Sequence, residues 1–384
     1  MDHWVVIYAI GAAQAALLAL ALSRRRANRQ ANRVLAAWIA IVGVDLAIKS
    51  MFLAEPAAWL FKPARFVALL PFVYASLFYL YVRVLTTGRG LGRRDVVHFA
   101  AFALALAWVA PLLLLGAEET AAMFARFRAG DASWLPPWFD PLLYGSALSY
   151  LVAALVRAQR YRRKIRERRS DADRQSLRWI TVMALGQLVI WGIATLHWLV
   201  RIPLIDYHLI YGAVAAWVCV VGYFSLGQPP VVELATEPAT TQADEVQDRD
   251  DDPRFDEVET RLSRLMRDEQ LYREPALTIG QLAKRSGYPE YLVSAVINRR
   301  FGGNFWEYIN RQRIDAASTC LADPEDARTI LDIAYACGFT SKSTFNAAFK
   351  RQLDATPSAY RREHASRSAG RSAASAGSTR TPPG

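Results

Sequence analysis

Cysteine is scarce in this 384-residue chain. Cys219, Cys320 and Cys337 stand far apart, and no CxxC or Cys/His ligand spacing occurs. That gives no support for a disulfide framework or for a zinc site. All three fall at apolar helical positions, where a cysteine is expected to be a small buried residue. Clustered acids, bases and nucleophiles are also lacking, so no catalytic residues are assigned and enzyme chemistry is not expected. Neither a metal nor a cofactor is expected. Residues 1–4 contain no Lys or Arg, so the first apolar run lacks the basic start of a secretory signal.

Apolar residues are abundant instead: 53% of the chain, with 11 Trp. Seven apolar runs follow one another, at about 4–22, 34–53, 66–85, 96–116, 138–156, 179–200 and 207–227, each near the ~20 residues that cross a bilayer core. Core helices of a soluble domain rarely run this long without polar faces. The connections carry a strong charge bias: roughly 17 basic residues in the first, third and fifth, against about 4 on the other side. The bias predicts an N-terminus outside the membrane and a cytoplasmic C-terminus. The net charge of +11 and pI near 9.7 therefore mostly record membrane orientation. By segment the charge is roughly +13 over 1–227, −7 over 228–253, +2 over 254–363 and +3 over the tail.

Within the runs, Asp45 and Lys49 stand four apart and can pair on one helix face. They are either a polar element in signal reception or a neutralised pair with Lys49 reaching outward. Gln14, Gln187 and His197 are candidate hydrogen-bond partners between helices. Pro71 and Pro111 are expected to kink their spans. The largest outer segment, 117–137, either contributes to a ligand site or lies at the interface with Trp134 and Trp138 as anchors.

Residues 228–253 are rich in proline, small polar residues and acids. They read as a disordered linker with a span on the order of 30 Å. Structure is expected to resume at Arg254 and to end near 363, with a disordered tail over 364–384.

The 254–363 region reads as two helix-turn-helix units. Thr278 caps IGQLAKRS, with Gln281 completing a capping box, and Gly287 closes that helix. Pro289 opens the next helix. Asn304 caps a longer helix from about Phe305 to Leu321. Then comes TILDIAYACGFTSKSTFNAAFKRQLDATPSAYRR, starting at Thr329. Thr329 caps one helix, Gly338 makes the turn, Ser341 caps a second helix, and Thr356-Pro357 starts a third. Phe345, Phe349, Ile333 and Tyr360 are assigned to the core.

These residues closely resemble the C-terminal signature of the AraC family of bacterial transcription regulators. The matching positions are Ile330, Ile333, Ala334, Gly338, Phe339, Ser343, Phe345, Phe349, Lys350, Thr356, Pro357, Tyr360 and Arg361. Phe305, Ile309, Arg313, Ile314 and Ala317 are similar to its linking-helix pattern. Asp354 departs from it, standing where the family usually has glycine. The resemblance covers about 254–363 and implies a fold in which two recognition helices read successive major-groove segments, about 34 Å apart. It points to Tyr291, Ser294 and Ala295 on the first recognition helix, and to Lys342, Ser343, Asn346 and Ala347 on the second, for base contacts. Lys342 suits guanine, Asn346 suits adenine, and the alanines offer apolar contact. Arg299, Arg300, Lys350 and Arg351 are phosphate candidates or solvated surface.

The fold class expected is all-α: a seven-helix transmembrane bundle (1–227) followed by a cytoplasmic all-helical domain with two helix-turn-helix units. The function expected is a membrane-embedded regulator that binds double-stranded DNA, works as a homodimer, and responds to an unknown signal ligand or membrane partner. The alternative is a seven-span receptor or anchor whose cytoplasmic domain docks proteins or acts after proteolytic release.

Overall fold

The computed structural model describes residues 3–130, 136–172, 178–201, 207–227, 231 and 252–366. Among these the chain is helical, and one isolated antiparallel bridge, Arg169 with Thr278, is the only extended pairing. Two compact units form. Met1–Tyr161 and Leu177–Thr236 make the first; Arg162–Ser176 and Glu237–Gly384 make the second.

The first unit contains α1 (His3–Arg24), α2 (Arg29–Ala54), α3 (Ala58–Val67), α4 (Pro71–Thr87), α5 (Ala100–Leu113) and α6 (Ala117–Arg128). It also holds most of α7 (Phe139–Arg168), then α8 (Arg178–Val200) and α9 (Tyr207–Leu226). Among the described residues, seven segments are long and apolar enough to cross a membrane, and they coincide with the seven apolar runs. α1 packs on α2 and α9, α2 on α4, and α8 on α9. Small residues bring these helices close: a Cβ added to Gly11 would lie 2.7 Å from the Cβ of Ala215.

Two prolines act differently from the expected kinks. Pro71 occupies the first turn of α4, after a break over residues 68–70, so it restarts a helix. Pro111 lies in the last turn of α5, where it helps to end the helix. Within 117–137, residues Ala117–Arg128 form α6, whose Phe124 and Phe127 pack on Phe52 and Phe61. Trp138 meets Trp108 edge-on at 5.8 Å, while Trp134 lies outside the described residues. So does nearly all of 228–251, and with it the expected linker; the tail from 367 onward is likewise outside.

The second unit contains α10 (Phe255–Arg267), α11 (Ile279–Ser286), α12 (Glu290–Arg299), α13 (Phe305–Ala322), α14 (Ile330–Ala336) and α15 (Lys342–Leu353), followed by α16 over 357–366. Each expected side-chain cap is present. Thr278, Asn304, Thr329 and Ser341 accept from the backbone N–H three residues on, which satisfies donors the helix itself leaves unpaired.

The cysteines divide. Cys337 is buried, Cys320 is half-buried and Cys219 is exposed on α9. A helix apolar on every face gives no sign of which face is inward, so an apolar neighbourhood in sequence misplaced Cys219. Burial pushes the Cys337 thiol up to about 11, which suppresses its thiolate. A brief maleimide treatment of the intact chain is therefore expected to label Cys320 well before Cys337, read by peptide mass spectrometry. Equal labelling would mean that the second core is open.

Candidate nucleic-acid interface

The second unit has two cores on one helix. Phe255, Leu262, Leu282, Val293 and Ile297 form the first, completed by Phe305, Tyr308 and Ile309 from the N-terminal half of α13. Ile333, Phe339, Phe345 and Phe349 form the other, completed by Ile314, Ala317 and Leu321 from its C-terminal half. Tyr360 packs against this second core, as expected. A single helix of 18 residues, about 27 Å long, thus carries both helix-turn-helix units.

Each unit makes its turn by the same device. Gly287 closes α11 at φ +83° and Gly338 follows α14 at φ +89°, conformations that favour glycine. Asp354 ends α15 at φ 51°. The family-discrepant aspartate therefore adopts the left-handed geometry that a glycine would take there, which Asp tolerates better than most residues.

The joint between the two cores is polar. Asn310 and Arg313, on α13 where the cores meet, are 3% and 1% exposed. Arg313 donates from Nε to the Tyr272 carbonyl at 2.7 Å and from Nη2 to the Glu274 carbonyl at 2.8 Å. Its guanidinium also lies 5.7 Å from the centre of the Phe339 ring. It thus connects a segment of the first core to the turn of the second. Burial draws it down to about 10, with the Asp171 carboxylate acting the other way; the cation persists at neutral pH. The resemblance to the family's linking helix placed Arg313 on α13, but its carbonyl partners lie some 40 residues away and were not legible.

The candidate DNA contacts fall on two outward faces. On α15, Lys342, Ser343, Asn346, Ala347, Lys350 and Arg351 are exposed, while Thr344, Phe345, Ala348 and Phe349 are buried. On α12, Tyr291, Ser294 and Ala295 are half-buried, and Tyr291 and Ala295 pack against the first core. The first recognition helix is therefore the more sunken. Arg300 pairs with Asp256 at 3.2 Å and Glu259 at 3.9 Å on α10, so a phosphate must compete with two carboxylates for it. Arg299 lies over the Phe255 ring at 5.7 Å and Arg351 over the Trp306 ring at 4.3 Å.

In the first unit, Asp45 is fully buried and pairs with Lys49. Tyr74 donates to the second Asp45 oxygen at 2.6 Å, and the Lys49 ammonium sits 3.9 Å from the Tyr211 ring centre. Lys49 therefore turns toward a ring of α9 instead of reaching outward. Tyr74 also lines an apolar cavity of about 40 Å³ with Trp38, Val42, Gln187, Trp191 and Trp217. The Gln187 amide nitrogen and the Trp38 and Trp217 indole nitrogens are buried without hydrogen-bond partners among the described residues. The Gln187 nitrogen thus makes no interhelical bond among the described residues. Gln14 is exposed, and His197 Nδ1 is likewise buried and unpartnered.

Comparison with known proteins bears on the second unit. A helix-turn-helix domain family matches residues 282–363. Regulatory protein SoxS of Escherichia coli (strain K12) is 36% identical over 85 residues, which are 22% of this chain and 78% of SoxS. The probable transcription factor PqrA of Proteus vulgaris is 32% identical over 92 residues, 24% of this chain and 74% of PqrA. The right origin-binding protein of Escherichia coli (strain K12) is 34% identical over 86 residues, 22% of this chain and 29% of that protein. No solved structure matches. Paired helix-turn-helix units on a shared helix, the turn glycines and these relatives lead to one conclusion: the chain belongs to the AraC family of transcription regulators and carries that family's DNA-binding domain.

Proposed function

We propose that this chain is a membrane-embedded transcription regulator whose first unit senses a signal and whose second unit reads specific double-stranded DNA. One observation carries the reading: among the described residues, seven segments long and apolar enough to span a bilayer share a chain with an AraC-type DNA-binding domain. Large apolar side chains face outward along these helices, among them Leu17, Leu20, Val152, Val189, Leu196 and Leu199. In water such a surface is unfavourable at about 25 cal/mol per Å², and in lipid it is not. The charge bias of the connections supports a cytoplasmic C-terminus, and so a cytoplasmic DNA-reading unit, with the N-terminus outside. The Asp45–Lys49–Tyr74 cluster beside the cavity is the candidate sensing element, because buried ionisable groups in spans mark functional sites. Reporter fusions at both ends test the topology: an N-terminus facing the cytoplasm would sink it.

On the DNA side, Lys342 and Asn346 are the base-reading candidates, and Lys350 and Arg351 the phosphate contacts. Asn346→Ala is expected to relax selectivity at one base pair by about 1–3 kcal/mol. Lys350→Ala is expected to weaken binding to all sequences alike and to lower the salt slope by about 1. Titrating the full chain in lipid nanodiscs against selected and scrambled duplexes at several salt concentrations separates the two effects. A wild-type chain without salt-sensitive, sequence-selective binding would overturn the reading and favour protein docking. Cleavage within 228–253 during a response would replace signalling in place by release.

A further inference from the structure

The C-terminal end of α7 and the residues just after it, 162–172, form a segment that belongs, by its contacts, to the DNA-reading unit. Its charge pattern reads only as an inward-facing loop, yet residues 162–176 group with 237–384. The contacts are specific. The Ser170 N–H donates to the Leu277 carbonyl at 2.9 Å, and Arg169 forms the antiparallel bridge with Thr278, the cap of α11. Arg313 Nη2 donates to Ser170 Oγ at 3.1 Å, and Asn310 Nδ2 to the Ser170 carbonyl at 3.4 Å. The Arg166 guanidinium lies 4.9 Å from the Trp306 ring centre. Ser170 is completely buried, and Asp171 and Ala172 nearly so.

These partners are not scattered. Leu277 and Thr278 begin the first helix-turn-helix unit, Trp306 starts α13, and Asn310 and Arg313 form its polar joint. The segment therefore lies where the two cores meet, and it supplies Asp171, whose carboxylate acts on the buried Arg313 cation. It is also the end of α7, one continuous helix from Phe139 to Arg168, most of which belongs to the first unit. A helix transmits rotation and translation along its axis, since its hydrogen bonds lie within the segment.

We propose that residues 165–172 are a strap through which the first unit controls DNA reading. Docked at the joint of α13, the strap holds the two helix-turn-helix units in one relative arrangement. That arrangement is the DNA-competent one, because a preorganised pair of units does not have to be ordered on binding. The strap is basic, so it does not act as an acidic mimic that displaces DNA. Movement of α7 withdraws it, and the two recognition helices lose their common spacing. The inference deepens the function proposed above and rests on it.

The test uses the full chain in lipid nanodiscs and a duplex that the wild-type chain selects from a random pool. Ser170→Pro removes the N–H that bonds Leu277. Inserting one alanine after Arg160 leaves the strap sequence intact but turns it by about 100° and advances it by about 1.5 Å. Both changes are expected to weaken duplex binding at least tenfold and to raise hydrogen exchange in 277–281 and 306–314. Lys164→Ala, an exposed position on the same helix, is expected to change binding less than threefold. Unchanged exchange in Ser170→Pro would show that the strap does not dock. Raised exchange with unchanged or tighter binding would show that docking does not set the DNA-competent state. A tolerated alanine insertion would show that α7 does not drive the strap. If the wild-type chain selects no duplex, the function itself fails, independently of the strap.

Discussion

Arg313→Met is expected to destabilise the DNA-reading unit by about 3 kcal/mol, a large part of the 5–15 kcal/mol that stabilises a typical domain. Methionine restores most of the apolar stem but none of the donors. The Tyr272 carbonyl then loses a charged donor in a buried contact at 2.7 Å, and the Glu274 carbonyl loses one in a partly buried contact at 2.8 Å. Each orphaned acceptor costs about 1–3 kcal/mol. Arg313→Lys is expected to recover little. An ammonium on a thin stem cannot reproduce a planar fork that spans two carbonyls and the Ser170 hydroxyl. Hydrogen exchange along α13 is the measurement, since it reports local stability without requiring reversible unfolding of the whole chain. Wild-type protection in either variant would mean that Arg313 is not the tie between the cores.

Gly338→Ala is expected to cost about 2–4 kcal/mol, from a strained backbone and from overpacking together. The added Cβ would lie 2.6 Å from the Tyr272 oxygen and 2.8 Å from the Arg273 oxygen. Those atoms are backbone, held by the same turn that accepts from Arg313, so they cannot swing aside. Gly287 provides the control. Its φ of +83° is nearly the same, but nothing lies within 4 Å of its added Cβ. Gly287→Ala should therefore show the left-handed strain alone, about 1 kcal/mol. The difference between the two alanine variants isolates the packing term. If they lose equal protection in hydrogen exchange, the close approach at Gly338 contributes nothing.

Local chemistry in the sequence was legible, and long-range chemistry was not. Thr278, Asn304, Thr329 and Ser341 announced their helices because a cap acts within three residues of itself. Gly287 and Gly338 announced turns because positive φ is a property of one residue. The seven apolar runs were plain from length alone. Partners far along the chain carry no such signature. The Asp45–Lys49 pair was visible at a spacing of four, but Tyr74 and Tyr211, which complete it, come from other helices. Ser170 looked like any polar residue in a basic loop, and nothing in SDADR indicates a backbone bond to Leu277. Within the candidate interface, periodicity separated the outward face of α15 from its buried face. It did not reveal that α12 lies deeper, or that Arg300 is engaged by α10.

A consequence of the shared helix concerns direction. α13 joins two units that differ in the side chains they present: Tyr291, Ser294 and Ala295 on one, Lys342, Ser343, Asn346 and Ala347 on the other. A pair of identical readers related by a two-fold axis meets a palindrome and cannot tell its ends apart. One chain with two unlike readers in fixed order meets a site with a head and a tail. Reversing such a site in a promoter reverses the bound protein, and with it the side of the complex turned toward the start of transcription.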